Sequence, residues 1–131
     1  AVIDATVTNN VILHNTLWVP AHFHTYNAMG NVLFCLAFFN WAANEFTNNQ
    51  DIFKNYKLTI KLLLIGGFGF VLMFYFGGAY SVPRRFAIYP SEFTYASYFA
   101  KFGALFALIY LIAILFIFYD ILKKCIKTLS Y

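Results

Sequence analysis

The sequence predicts an all-α membrane protein with three transmembrane helices. Of its 131 residues, 62% are hydrophobic, 22% are aromatic and only 11% are charged. A soluble domain of this length could not cover so much apolar surface. The apolar residues form three segments, at about residues 14–43, 58–79 and 95–122, each long enough to cross a bilayer. We therefore expect residues 1–131 to form a single transmembrane unit.

The first segment carries features of a helix packed among other helices. It follows a lead-in, residues 1–13, whose small, β-branched and amide side chains suit the membrane surface. Trp18 and Trp41 near its two ends fit the interfacial aromatic belts. Between them lie three asparagines, Asn27, Asn31 and Asn40. Amide side chains are costly in lipid, so we expect this helix to be buried among others.

Two loops separate the three apolar segments. Residues 44–57 are rich in amides and predict a loop before the second segment. The second segment contains five glycines, Gly66, Gly67, Gly69, Gly77 and Gly78. Small residues at this spacing allow close helix packing. A loop at residues 80–94 then leads to the third segment, whose continuous apolar run predicts the greatest exposure to lipid.

The distribution of positive charge predicts the orientation in the membrane. The formal net charge is +4, but the nine Lys and Arg residues sit near segment ends rather than along one face, which argues against a nucleic-acid partner. Three spans place the 44–57 loop and the carboxy terminus on one side, with Lys54, Lys57, Lys123, Lys124 and Lys127. By the positive-inside rule this side is cytoplasmic, or the matrix in a mitochondrion.

Two histidines inside the first segment are the candidate functional residues. His22 and His24 are two positions apart, so on a helix their side chains point about 200° away from each other. They cannot both coordinate one metal ion. Each could supply an axial imidazole to a separate flat cofactor, with Phe23 between the two ligands. The alternative for either is a histidine hydrogen-bonded inside a helix bundle. Pro20 would start or kink the helix just before them.

The motifs HNTLWVPAHFH at residues 14–24 and SVPRRFAIYP at residues 81–90 resemble subunit I of the heme-copper terminal oxidases. The similarity covers nearly the whole chain, which would be the carboxy-terminal quarter to third of a twelve-helix subunit. The HNT and WVP motifs are closest to the B-type branch, although YP after PRR also occurs in the A-type. The resemblance implies that the three helices form part of that twelve-helix bundle.

The same resemblance implies roles for the histidine pair. His22 would be the proximal ligand of the high-spin heme iron in the binuclear centre, and hence catalytic. His24 would be an axial ligand of the low-spin heme iron. Phe23 would lie between the hemes.

The resemblance also implies a heme-propionate region. Arg84 and Arg85 would bind propionates, and His14 would lie near them. Two positions depart from the family pattern, since many members have Asp where this chain has Asn10 and Asn15. Asparagine supplies only a neutral oxygen and cannot ionise, so we expect no magnesium site at His14 and Asn15, and no family-standard proton-loading group.

As a heme-copper oxidase, the chain would be part of the catalytic subunit of a respiratory enzyme that reduces dioxygen to water with proton translocation. It would bind two hemes of unassigned type and would be inactive alone. Apart from the pair, its only histidine is His14, so the copper ligands and the second low-spin heme ligand must come from another chain or a missing portion. The implied partners are the remainder of subunit I, subunit II, cytochrome c or quinol as donor, and the lipid bilayer. The implied location is a bacterial or archaeal plasma membrane, or the mitochondrial inner membrane.

Two alternatives are open at this stage. A nitric oxide reductase of the same superfamily shares the HxH arrangement but holds iron in place of copper. A non-catalytic heme-binding or structural membrane subunit is the other. A diheme cytochrome would need histidines about a leaflet apart on one face, and His14 to His22 spans only about 12 Å of helix. A structural subunit would leave the histidines and the Arg pair unexplained.

The chain does not begin with Met, and no signal-peptide pattern precedes His14. We expect a processed chain, a partial chain or one piece of a subunit split between genes. If the resemblance holds, the start falls at a helix-to-helix connection, which favours a natural split or a deliberate cut.

Overall fold

The computed structural model describes residues 6–47, 56–86 and 88–129, with side chains to residue 126. Within these ranges the regular structure is helical, as predicted. The helices are α1 (Val7–Leu13), α2 (Trp18–His24), a π-helix (Thr25–Asn31), α3 (Val32–Phe46), α4 (Lys57–Ala79), a 3₁₀ turn (Ser91–Phe93) and α5 (Ala96–Leu129). Of these, α4 and α5 are long and apolar enough to cross a membrane. Three spans and the twelve-helix bundle are still predictions.

Helix α2, the π-helix and α3 run on without a break and form what we call the histidine helix, residues 18–46. The predicted start at residue 14 is wrong, because Thr16 ends the preceding turn: its Oγ1 donates to the Leu13 carbonyl (2.8 Å) and accepts from the Trp18 backbone N–H (3.2 Å). Pro20 lies in the first turn, where its missing N–H costs nothing. It therefore fits the start of the helix without kinking it.

Other predicted boundaries also shift. Part of the lead-in is helical, because α1 begins at Val7. Helix α3 continues to Phe46, so the 44–57 loop begins later than predicted. Residues 1–5 and 48–55, including Lys54, lie outside the described residues.

The π-helix directly after His24 was not predicted. A π turn is wider than an α turn and is often found at functional sites. Side chains bond to groups along it: Asn27 Nδ2 donates to the Phe23 carbonyl and Asn31 Nδ2 donates to Asn27 Oδ1, each at 3.1 Å. Asn31 is exposed in this chain, whereas Asn40 is buried. Burial of all three asparagines therefore needs a neighbour beyond the residues that the structure describes.

The glycines of α4 allow two close approaches, as their spacing predicts. A Cβ added to Gly66 would lie 2.6 Å from the backbone nitrogen of Tyr110 on α5. A Cβ added to Gly78 would lie 2.4 Å from the backbone nitrogen of Trp18. Both distances are shorter than a carbon atom tolerates. The second contact sets the position of α4 beside the start of the histidine helix.

Replacing Gly78 with Ala is expected to destabilise the assembled protein by about 1–3 kcal/mol, the usual cost of overpacking a core. The clash is with backbone, which cannot rotate away. The matched control is Gly103→Ala, since the added carbon there would lie 3.7 Å from Met73 Cβ, an ordinary contact. Thermal unfolding in one detergent tests the pair, and equal stability of the two variants would show that the Gly78 approach is not tight.

A polar cluster joins the other ends of the helices. Lys124 Nζ lies 3.1 Å from Asp120 Oδ2 and 3.2 Å from Asn44 Oδ1, and it contacts the buried Asn40 at 3.5 Å. Tyr56, just before α4, donates a hydrogen bond to Asp120. Burial, with the hydrogen bond to Asp120 and the charge of Asp120, raises the pKa of Tyr56, so its phenol stays protonated. The cluster ties α3, the start of α4 and the end of α5 together.

The same cluster explains why α5 is longer than predicted. We expected the third segment to end near residue 122, but α5 continues to Leu129. Asp120 and Lys124 are one turn apart, which stabilises a helix. Contacts from Lys124 to α3 fix this extension. At about 1.5 Å per residue the whole helix is about 51 Å long, longer than the hydrocarbon core.

Candidate functional site

His24 is held against α4 by one hydrogen bond and two aromatic rings. Its Nδ1 lies 2.6 Å from the Pro20 carbonyl oxygen, which can only accept, so Nδ1 carries the proton. Phe74 stacks on the imidazole at 5.4 Å and 17°, and Phe70 meets it edge-on at 5.2 Å and 88°. With Nδ1 occupied, Nε2 is the nitrogen left for a metal ligand. This tautomer suits an axial heme ligand.

His22 has different surroundings. Its ring meets Tyr26, one turn along the same helix, edge-on at 4.8 Å and 80°. It is half-buried, and its aromatic neighbour belongs to the histidine helix, whereas the aromatic neighbours of His24 include two rings on α4. Both histidines lie on α2, so the angle of about 200° derived from the sequence applies. The two imidazoles therefore point to different sides of the helix.

Phe23 lies between the two histidines in sequence and is 61% exposed. Its ring meets the His24 ring edge-on at 5.7 Å. A side chain of this size is costly to expose to water. The exposed ring is thus available to contact whatever occupies the space beside the histidine helix.

A short antiparallel bridge brings the two sequence motifs together. Thr16 pairs with Pro83. The backbone N–H of Leu17 donates to the Val82 carbonyl, and that of Arg84 donates to the Asn15 carbonyl, both at 2.9 Å. Residues separated in sequence by the histidine helix and the whole of α4 are thereby placed side by side. The bridge lies at the end of the bundle opposite the polar cluster that contains Lys124.

Arg84 and Arg85 differ in burial and in backbone conformation. Arg84 is half-buried, and its Nε is a buried donor with no hydrogen-bond partner among the described residues. An unpaired buried donor costs about 1–3 kcal/mol, so it needs an acceptor. Arg85 is exposed, and its backbone has φ of 71°, a region that non-glycine residues rarely adopt. Arg84 is therefore the better candidate for a buried anion such as a propionate.

His14 lies near this bridge but apart from the histidine pair. It is exposed at the end of α1, and its Nδ1 lies 3.3 Å from Asn10 Oδ1. Asn15 accepts a hydrogen bond from the Arg84 backbone N–H through its own backbone carbonyl. The structure thus brings His14, Asn15 and Arg84 to one end of the molecule. His22 and His24 lie along the helix that begins there.

Sequence reasoning missed the α4 side of the site. Phe70 and Phe74 are one turn apart, and Tyr75 OH lies 3.2 Å from Thr25 Oγ1, the residue next to His24. The ring of Tyr75 also meets Trp18 edge-on at 4.7 Å. The spacing of the two phenylalanines was the only available signal. In an apolar helix with many aromatics, such spacing does not distinguish a site from ordinary packing.

A cavity of about 300 Å³ opens between α4 and α5, and its lining includes Phe70, Phe74, Leu17 and Tyr89. Most of its wall is apolar. Burial raises the pKa of Tyr89, so the phenol stays neutral. The cavity suits an apolar group rather than an ion.

Within the described residues, no three His, Cys, Asp or Glu side chains are grouped so that they could hold a metal ion. The geometry offers single imidazoles on separate sides of one helix. That arrangement fits irons whose remaining ligands come from a porphyrin and from elsewhere. The orphan donor of Arg84 fits a propionate, so the residues present are compatible with heme.

Comparison with known proteins gives one family. The sequence model of the cytochrome c and quinol oxidase polypeptide I family matches residues 1–119. The chain is 26% identical over 125 residues to cytochrome c oxidase subunit 1 of Thermus thermophilus, covering 92% of this chain. It is 27% identical over 120 residues to cytochrome c oxidase subunit 1 of Eremothecium gossypii, covering 91% of this chain.

The chain spans 22% of the length of each of these two relatives, somewhat less than the quarter to third expected from the sequence. No solved structure matches it significantly.

Proposed function

The chain belongs to the cytochrome c and quinol oxidase polypeptide I family, and on that premise we propose that it is the carboxy-terminal part of the catalytic subunit of a respiratory terminal oxidase. In this role it supplies an axial imidazole to each of two hemes, His24 to the low-spin iron and His22 to the high-spin iron. The observation that carries the proposal is the environment of His24. Its Nδ1–H is bound to the Pro20 carbonyl, which leaves Nε2 as the unprotonated nitrogen available to a metal.

When bound, the hemes supply the electron transfer and the iron at which dioxygen is reduced. The chain's own residues position these groups. His22 and His24 would each hold one of these groups, and Phe23 would lie between them. The aromatic rings of α4 exclude water beside His24. Proton translocation is proposed from family membership alone, since Asn10 and Asn15 cannot ionise.

The exposed face of the histidine helix is evidence that a large partner covers it. Phe23 is 61% exposed and Phe34 is 73% exposed, and Asn27 and Asn31 lie between them along the helix. Amide side chains on a lipid-facing surface are unfavourable. We propose that the remainder of subunit I covers this face and brings the copper-ligating histidines and the second axial ligand of the low-spin iron. Subunit II and the donor, cytochrome c or quinol, would bind the assembled complex.

The orientation in the membrane follows from the two ends of the bundle. Lys57, Lys61, Lys123 and Lys124 lie at or towards the end with the polar cluster. By the positive-inside rule we propose that this end is cytoplasmic, or faces the matrix. The bridge between Thr16 and Pro83 is at the opposite end and would face outward. Arg84 and Arg85 then depart from the charge rule, and heme propionates explain their presence.

Metal analysis of the purified complex tests the oxidase assignment. Copper in stoichiometric amount with heme supports it. Non-heme iron in place of copper would contradict it and would assign the complex as a nitric oxide reductase. Absence of both heme and copper from the complex would favour a structural subunit.

Arg84→Lys is expected to shift the midpoint potential of a heme without loss of heme. The lysine keeps the charge but loses the guanidinium fork that binds a carboxylate in two places. Arg85→Lys is the matched control, because Arg85 is exposed and should give a smaller shift. Spectroelectrochemical titration measures both variants. No shift in Arg84→Lys would show that the buried Nε is not bound by a propionate, and an equal shift in both variants would show that burial does not distinguish the two arginines.

A further inference from the structure

We propose that Phe74 is a positioning residue for His24, whose ring fixes the plane in which the imidazole presents Nε2 to the low-spin heme iron. The inference rests on the proposed function of His24 as an axial ligand. Nothing in the sequence singles out Phe74, which lies fifty residues further along the chain. Only the packing of α4 against the histidine helix brings it to the site.

The hydrogen bond from Nδ1 to the Pro20 carbonyl does not fix the imidazole alone. It sets the tautomer and the direction of one ring edge at 2.6 Å. Rotation about the terminal bond of a histidine side chain is broad, so a second restraint is needed to set the ring plane. Phe74 is nearly parallel to the imidazole, at 17°, and lies against its face. Phe70 meets the ring edge-on at 88° and limits its sideways movement.

Phe74 is itself held in place. Its ring packs edge-on against Phe70 at 5.0 Å. The next residue, Tyr75, is hydrogen-bonded to Thr25, beside His24, at 3.2 Å. One turn later, Gly78 brings the α4 backbone against Trp18 with no room for a methyl group. These contacts prevent α4 from moving away from the histidine helix, so the Phe74 ring keeps a fixed position against His24.

The orientation of an axial imidazole affects the iron it binds. The plane of the ring determines which iron d orbitals overlap its π system. The hydrogen bond at Nδ1 raises the basicity of the ligating nitrogen, and this outer partner tunes the metal. A ring that is free to turn holds that hydrogen bond less well. Loss of the Phe74 ring should therefore change both the electronic symmetry of the low-spin iron and its midpoint potential.

The test is Phe74→Leu in the assembled oxidase. We expect low-spin heme content to stay at the wild-type level, while the low-field g value of the ferric low-spin heme shifts and its EPR line broadens. The midpoint potential should move to a more positive value, because a weaker Nδ1 hydrogen bond makes His24 a poorer donor. Phe74→Tyr keeps the flat ring and should match wild type. Phe76→Leu, on the same helix but 48% exposed, is the matched control and should also match wild type.

Wild-type g value, line width and potential in Phe74→Leu would overturn the proposal. Phe74→Met provides a second flexible side chain of similar size should Phe74→Leu not assemble. If neither variant assembles while Phe74→Tyr does, the ring serves packing and the proposal is wrong. His24→Ala separates the two claims: if that variant keeps its low-spin heme, the ligand assignment fails, whereas loss of the heme with an unaffected Phe74→Leu overturns only the positioning role.

Discussion

His24→Ala is expected to remove the low-spin heme from the assembled oxidase while leaving the high-spin heme in place. In the proposed function this imidazole is the ligand that the chain supplies to that iron, and alanine cannot replace it. The reduced-minus-oxidised spectrum should lose the low-spin band, and heme content should fall by half. Oxygen consumption should fall by more than about 100-fold, beyond the range typical of losing an outer-shell partner.

His14→Ala is the control for this change. His14 is exposed and lies at the end of α1, away from the stacked rings that hold His24. It should keep both heme signals. A His24→Ala complex with an unchanged low-spin band would show that His24 is an ordinary histidine packed among aromatic side chains.

His22→Ala should have the complementary effect. We expect loss of carbon monoxide binding at the high-spin iron and loss of oxygen reduction to background, with the low-spin band retained. The reason is geometric, since the two imidazoles project to different sides of α2 and each is proposed to bind a separate iron. Carbon monoxide difference spectra and oxygen-electrode measurements check this result.

The contrast between the two variants matters more than either alone. Loss of both hemes from each variant would mean that the histidines act together in folding rather than as separate ligands. Carbon monoxide binding that survives in His22→Ala would assign the high-spin iron to a ligand outside this chain.

The histidine pair could be found from the sequence because its signal is local. Two residues in fixed positions on a helix have a fixed angle between them, whatever surrounds the helix. Glycine spacing in the second segment also predicted close packing, and the structure shows backbone contact at Gly66 and Gly78. Both inferences depend on a few neighbouring residues.

The environment of His24 could not be found in the same way. Phe74 and Tyr75 reach the site through the packing of α4, and their spacing resembles that of any aromatic core. The difference between Arg84 and Arg85 depends on the bridge between Thr16 and Pro83. Adjacent arginines look equivalent in a sequence, but a paired backbone orients one inward and leaves the other exposed.

Helix ends were misplaced for a related reason. Apolarity marks where a segment can enter lipid but not where the helix stops. Lys124 lies beyond the apolar run of α5, yet it remains helical because Asp120 and Asn44 bind it. At the other end, Thr16 stops the turn before Trp18 through its own side chain.

The most direct test is to purify the complex through this chain and measure its hemes, metals and protein partners together. We expect two hemes and one copper for each copy of the chain, with a co-purifying membrane polypeptide that supplies the copper-ligating histidines and the second axial ligand of the low-spin heme. A chain that purifies without heme, or with heme but no such partner, would contradict the claim that it is a part of oxidase subunit I that holds both irons.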